Sequence, residues 1–149
     1  YFIKGEFMKF CIIYKYQTTK NKFQLEKDLE QLSSILSDMG HDTFIFDRDI
    51  KNWQNIEIPR EESSKMVFSA MTDCDAVIAY VNHSEPSEGM AMEAGYAKAL
   101  NKKIIMVVKE GASSPRVRSV CDLYIEFEDI GDLKNSLSDY LNSAFTVSQ

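Results

Sequence analysis

A doubly wound α/β fold of the flavodoxin- or Rossmann-like type is predicted by three features of this 149-residue chain. Short apolar runs alternate with segments whose apolar residues recur at helical spacing, so strand and helix follow one another throughout. The run Lys103-Ile-Ile-Met-Val-Val108 is apolar without alternation, as a strand covered on both faces by helices requires. No internal repeat, low-complexity tract or linker divides the chain, so residues 8–149 read as a single domain. The expectation is a sheet of about five parallel strands in a three-layer α/β/α arrangement.

The elements follow in order. Lys9-Phe-Cys-Ile-Ile-Tyr14 is the first strand, followed by a polar loop over Gln17 to Asn21. Leu25, Leu29, Leu32, Leu36 and Met39 mark one face of a first helix, and Gly40 supplies its stop. Thr43-Phe-Ile-Phe46 is the second strand. The polar stretch from Asp47 to Pro59, with Trp53 inside it, is long for a plain connection, and long connections are often functional. Pro59 opens a helix whose Val67, Ala70 and Met71 share a face. Asp75-Ala-Val-Ile-Ala-Tyr-Val81 is a buried third strand, and a helix runs from about Glu88 to Leu100. Gly95 costs that helix about 1 kcal/mol against alanine, which implies close approach to a strand or a partner helix. After the fourth strand, Glu110 to Arg118 is a loop of mostly small residues. Leu123-Tyr-Ile-Glu-Phe127 is the fifth strand, and Leu133, Leu137, Tyr140 and Leu141 mark a terminal helix.

Bulk composition narrows the function classes. A hydrophobic content of 44% with 27% charged residues fits a soluble globular protein. The formal net charge of −6 argues against a polymeric nucleic-acid partner, which needs a basic footprint, but leaves room for a small anionic ligand. Cys11, Cys74 and Cys121 are odd in number and far apart, which fits reduced core thiols and a cytoplasmic location. No apolar stretch approaches the ~20 residues that span a bilayer. Tyr1 to Phe7 reads as a vector or protease-site remnant preceding Met8.

Several familiar chemistries are missing. No Gly-x-Gly-x-x-Gly follows the first strand, and there is no phosphate loop ending in Gly-Lys-Ser/Thr. Gly-x-Ser-x-Gly is absent, and His41 and His83 lack ligand spacing with the cysteines, so neither metal nor cofactor is expected. The segment from Ser84 to Lys103 remains. On a helix, Glu93 shares its face with Gly89, Met90, Tyr96 and Ala97, so no cation neighbours it. A lone carboxylate among small and apolar residues, just past the carboxyl end of a strand, lies where open α/β sheets bind ligands. Ser87 reads as an N-cap, a role compatible with holding a phosphate at the helix N-terminus, beside Gly89.

These residues resemble the nucleoside 2-deoxyribosyltransferase superfamily. The resemblance rests on Asp75-Ala-Val-Ile-Ala, Pro86-Ser87, and Glu93-Ala-Gly-Tyr-Ala-Lys-Ala-Leu-Asn-Lys-Lys-Ile-Ile. Within the superfamily the nearest resemblance is to the 2′-deoxynucleoside 5′-phosphate N-hydrolases. It implies that Glu93 attacks the anomeric carbon and forms a glycosyl-enzyme ester. The transferases carry aspartate six residues before that glutamate, whereas the phosphate-dependent hydrolases carry serine, as this chain does at Ser87. A hydroxyl donates to a 5′-phosphate that a carboxylate would repel.

The resemblance further implies a homodimer or higher homo-oligomer, with Ser114 or Ser119 adding phosphate contacts, in the family often from a neighbouring subunit. It implies a small-molecule nucleotide or nucleoside as partner, with no cofactor and no metal. Two departures stand out. The family's glycine-containing loop after the first strand is here Tyr14-Lys-Tyr-Gln-Thr-Thr19, where Tyr14 or Tyr16 replaces the tyrosine near the nucleophile and Lys15 with Thr18 or Thr19 binds phosphate. The family's acid on the helix before the third strand falls at Val67, and Asp47 and Asp49 are the candidates to replace it. Transfer of deoxyribose between bases, cleavage of NAD, and nucleotide binding without turnover are the alternatives to hydrolysis.

Overall fold

The computed structural model describes residues 7–16 and 21–144, which build a five-stranded, all-parallel sheet of order β2-β1-β3-β4-β5. Its strands are β1 (Lys9–Tyr14), β2 (Asp42–Phe44), β3 (Ala76–Val81), β4 (Lys103–Lys109) and β5 (Leu123–Phe127). Between them run α1 (Lys22–Asp38), α2 (Phe46–Asp49), α3 (Arg60–Asp73), α4 (Glu88–Ala99) and α5 (Pro115–Arg118). A 3₁₀ turn (Ile130–Asp132) leads into α6 (Leu133–Ala144). No helix among the described residues is long and apolar enough to cross a membrane.

Strand alternation sends one set of side chains to each helical layer. Phe10, Ile12, Ile78, Tyr80, Ile105, Val107 and Phe127 meet Leu25, Leu29, Leu32 and Leu36 of α1 and Leu133, Leu137 and Leu141 of α6. Cys11, Ile13, Val77, Ala79, Val81, Ile104, Met106 and Val108 meet Val67 and Met71 of α3, Met90, Ala94 and Ala97 of α4, and Val117 of α5. Every residue of β3 is buried, so its apolar run needs no alternation. Tyr80 is the one polar side chain in that strand. Its ring stacks on Phe127 and its hydroxyl donates to Asp28 at 2.9 Å.

Three expectations are corrected. The second strand ends at Phe44 rather than Phe46, because the Asp49 carboxylate accepts the Ile45 N–H at 2.8 Å and turns the chain into α2. The polar stretch therefore contains a helical turn. It ends in two left-handed residues, Asn52 (φ 52°) and Trp53 (φ 59°). Gly95 is exposed, and a Cβ there would meet nothing within 4 Å, so among the described residues no other element approaches it closely.

Register at the amino ends of two inner strands is held by carboxylates. Asp75 Oδ2 accepts the Lys9 N–H at 2.8 Å, and Asp122 Oδ2 accepts the Ile104 N–H at 2.9 Å. Hydrogen bonds to charged groups contribute about 1.5–3 kcal/mol. Asp75→Ala is accordingly expected to lower unfolding free energy by about 2 kcal/mol in urea titration, leaving the far, carboxyl end of the sheet unaltered.

Candidate active site

In a sheet of this order the chain leaves β1 towards one edge and β3 towards the other, opening a crevice beyond their carboxyl ends. A cavity of about 680 Å³ lies there. Its walls come from the end of β1 (Tyr14, Lys15, Tyr16), from the last residue of β2 and the start of α2 (Phe44, Phe46, Asp47), and from one face of α3 (Arg60, Ser63, Ser64, Val67). The start of α4 completes it with Pro86, Ser87, Gly89, Met92 and Glu93.

Glu93 is largely withdrawn from water inside this cavity. Burial, and then the negative charge of Asp47, push its carboxyl up to about 7. Among the described residues no cation pairs with it and no donor bonds to it, which explains why nothing offsets the loss of hydration. The Tyr14 hydroxyl does not supply that compensation. Instead it donates to Asp47 Oδ2, while the Asp47 N–H donates back to the Tyr14 oxygen at 3.0 Å. Burial and the Asp47 charge hold the Tyr14 phenol well above its ordinary value, so it stays protonated and a donor.

Also on the cavity wall, Ser87 caps α4, its Oγ accepting the Met90 N–H at 3.2 Å. The cap uses the oxygen as acceptor and leaves the hydroxyl proton to be donated elsewhere. A Cβ at Gly89 would meet nothing within 4 Å, so the first turn of α4 is open on the cavity side. Lys15 Nζ donates to the Pro86 carbonyl at 3.3 Å and thereby ties the end of β1 to the turn before α4. Tyr16 is 42% exposed at the rim, with the Lys51 ammonium 5.7 Å from its ring centre.

The structure thus gathers Tyr14, Lys15, Tyr16, Ser87, Gly89 and Glu93 around one cavity. Thr18 and Thr19 lie outside the described residues. Ser114 and Ser119 do not line the cavity. Ser114 caps α5 without a side-chain hydrogen bond, and the Ser119 hydroxyl donates to the Arg116 carbonyl at 2.6 Å. Of the two alternative acids, Asp47 is 8% exposed on the cavity wall, whereas Asp49 is engaged by Arg48 and the Ile45 N–H. The α3 face carrying Arg60, Ser63 and Ser64 was not anticipated as part of the site. Their spacing with Val67 is the helical i, i+3, i+4, i+7 pattern, so the signal was present in the periodicity.

Comparison with known proteins gives a consistent picture. A family profile described as Nucleoside 2-deoxyribosyltransferase matches residues 16–137. Among solved structures, a CMP N-glycosidase of Clostridium botulinum is similar with a TM-score of 0.62 and 25% identity, over 89% of this chain and 99% of that one. A 2-deoxyribosyltransferase of Bacillus psychrosaccharolyticus has a TM-score of 0.60 at 19% identity, over 85% and 90% of the two chains. A conserved protein of Enterococcus faecalis reaches 0.70 at 10% identity, over 91% and 100%. The last two likenesses concern the fold alone. No curated protein is similar enough to this chain to count as a match.

The Glu93 environment has a consequence for stability. A carboxyl near 7 in the folded protein, against an ordinary ~4.3 when unfolded, binds its proton more tightly when folded. Its contribution is most favourable below the unfolded value, declines as pH rises towards about 7, and is level beyond. Glu93→Gln removes that penalty. Chemical denaturation is expected to show the variant more stable than the parent by up to about 3 kcal/mol at pH 8, with the gain vanishing near pH 4.

Proposed function

The chain belongs to the nucleoside 2-deoxyribosyltransferase family, and on that premise we propose that it hydrolyses the N-glycosidic bond of a nucleoside 5′-monophosphate. The observation that carries this reading is a half-buried Glu93 carboxyl, unpaired among the described residues, sharing a cavity with the Ser87 cap and the Lys15 side chain. An anomeric carbon placed against Glu93 puts a 5′-substituent within the same enclosure as the open first turn of α4. That turn offers free N–H groups and the positive end of the helix dipole, to which Ser87 adds a hydroxyl donor.

In this reading Glu93 attacks the anomeric carbon as the base departs, forming a glycosyl ester that water then cleaves. The transition state carries positive charge on the sugar, which a desolvated carboxylate stabilises more strongly than a hydrated one. Tyr14 and Tyr16 flank the sugar end, and Lys15, Ser87 and Gly89 hold the phosphate. The likeness to a CMP N-glycosidase makes CMP one substrate to test beside deoxynucleotides. Ser114 and Ser119 reach a cavity only if another subunit supplies it, so the proposal includes a homo-oligomer, in keeping with the 49% exposed Met92 at the rim.

A chromatographic screen of nucleosides, mononucleotides and NAD for free base tests the reading. Release is expected from a 5′-monophosphate and not from its nucleoside, and Glu93→Gln is expected to abolish it. Normal turnover by that variant would remove Glu93 from the mechanism. Because the nucleophile must be ionised, the acid limb of the pH–rate profile is expected to rise with a midpoint near 7. Ser87→Asp places a carboxylate beside the phosphate and is expected to raise KM for the monophosphate at least ~10-fold. Addition of an acceptor base separates hydrolysis from transfer, since a transferase yields a new nucleoside.

A further inference from the structure

We propose that Asp47 is the general acid of this site, delivering a proton to the departing base from α2 rather than from α3. The inference rests on the glycosidase reading above and adds the residue that completes it. Val67 lines the cavity where the family resemblance places an acid on α3, and a valine has no proton to give. Among the other described side chains on the wall, Tyr14 and Cys11 are both held well above their ordinary values, and Glu88 is exposed beside the Ser87 end. Asp47 is a buried carboxyl whose charge reaches Glu93.

The way Asp47 is held favours a role rather than an accident of packing. Its Oδ2 accepts from the Tyr14 hydroxyl, its Oδ1 lies 3.7 Å from Lys51 Nζ, and its carbonyl accepts the Trp53 N–H at 2.7 Å. That last bond requires the left-handed pair Asn52 and Trp53, a conformation costing of order 1–3 kcal/mol per residue that gathers at functional sites. The Trp53 indole N–H then anchors the turn to Glu30 at 3.3 Å. Two contacts therefore orient the carboxyl itself, while the Trp53 bonds hold the backbone that carries it.

The chemistry balances with a single proton carried between two carboxyls. Two carboxylates in one enclosure resist ionising together. In the free site the proton is held on Glu93, whose carboxyl is the one pushed up. It passes to Asp47 when the sugar is bound, because the positive charge developing at the anomeric carbon favours ionised Glu93. Glu93 as carboxylate bonds to the anomeric carbon, and the bond from that carbon to the base nitrogen breaks with its electron pair on the base. The Asp47 carboxyl proton goes to the base. Water then attacks the same carbon and gives a proton to the Asp47 carboxylate, and the ester bond to Glu93 breaks. The net change is addition of water across the glycosidic bond.

A leaving-group series distinguishes this role from a structural one. The full chain and its Asp47→Asn, Asp47→Glu and Glu93→Gln variants are assayed on sugar 5-phosphates whose leaving groups need progressively less protonation, from an unmodified base to 4-nitrophenolate. Asp47→Asn is expected to lose about 10²–10⁴-fold in kcat on the unmodified base and under ~10-fold on the most activated group. Asp47→Glu, which keeps an acid, is expected to recover part of the loss, and thermal unfolding reports that each variant is folded. Equal losses across the series, or no loss at all, would overturn Asp47 as acid while leaving Glu93 in place. Turnover by Glu93→Gln, or no cleavage by the parent chain, would overturn the glycosidase reading itself.

Discussion

The arrangement depends on the reversal of strand order between β1 and β3. With all strands parallel, β1 delivers its chain towards β2 and β3 delivers its chain towards β4, so the two connections diverge and cannot fill the space between them. Several of the cavity groups then arise near one end of the sheet. Tyr14 and Lys15 come from the end of β1, and Ser87 and Glu93 come from the helix that follows β3. The third contributor, α2, exists because Asp49 caps the Ile45 N–H and stops β2 after three residues. A longer β2 would carry Asp47 past the cavity.

The electrostatic price of the site is concentrated in Glu93. Its carboxyl has neither a cationic partner nor a hydrogen-bond donor among the described residues, and burial alone is the larger cause of its raised value. Asp47 adds a second negative charge to the same enclosure. Such an arrangement disfavours the folded state above neutral pH and is tolerated because the two helical layers bury the sheet so completely. The polar groups around Asp47 run the other way. Tyr14 and Lys51 face its carboxylate while the Trp53 N–H holds its backbone carbonyl, so Asp47 is fixed in place whereas Glu93 has no such support.

The cavity wall carries two kinds of surface. Ser87, Gly89 and Lys15 bring a hydroxyl, open helix N–H groups and an ammonium, which suit an anion. Phe44, Phe46, Val67 and Met92 bring apolar surface, which suits a planar base. Glu93 lines the same cavity as both. Arg60 with Ser63 and Ser64 gives the α3 wall its polar edge.

Much of this was legible from residue order alone. The alternation of apolar runs with helical periodicity implied the doubly wound sheet, and the absence of a cation at helical spacing from Glu93 marked that carboxylate as unusual. Ser87 was recognisable as a cap because capping is a local property of the residues at a helix start. The choice between Asp47 and Asp49 was beyond the sequence. Both sit in one polar stretch, and only the fold engages Asp49 with Arg48 while turning Asp47 inward. The partner of the Tyr14 hydroxyl was likewise undecidable, since it lies 33 residues away on another element. Local chemistry determines strands, helices and caps because its causes lie within a few residues. Which carboxyl meets which hydroxyl is decided by packing between distant segments, and no spacing along the chain encodes it.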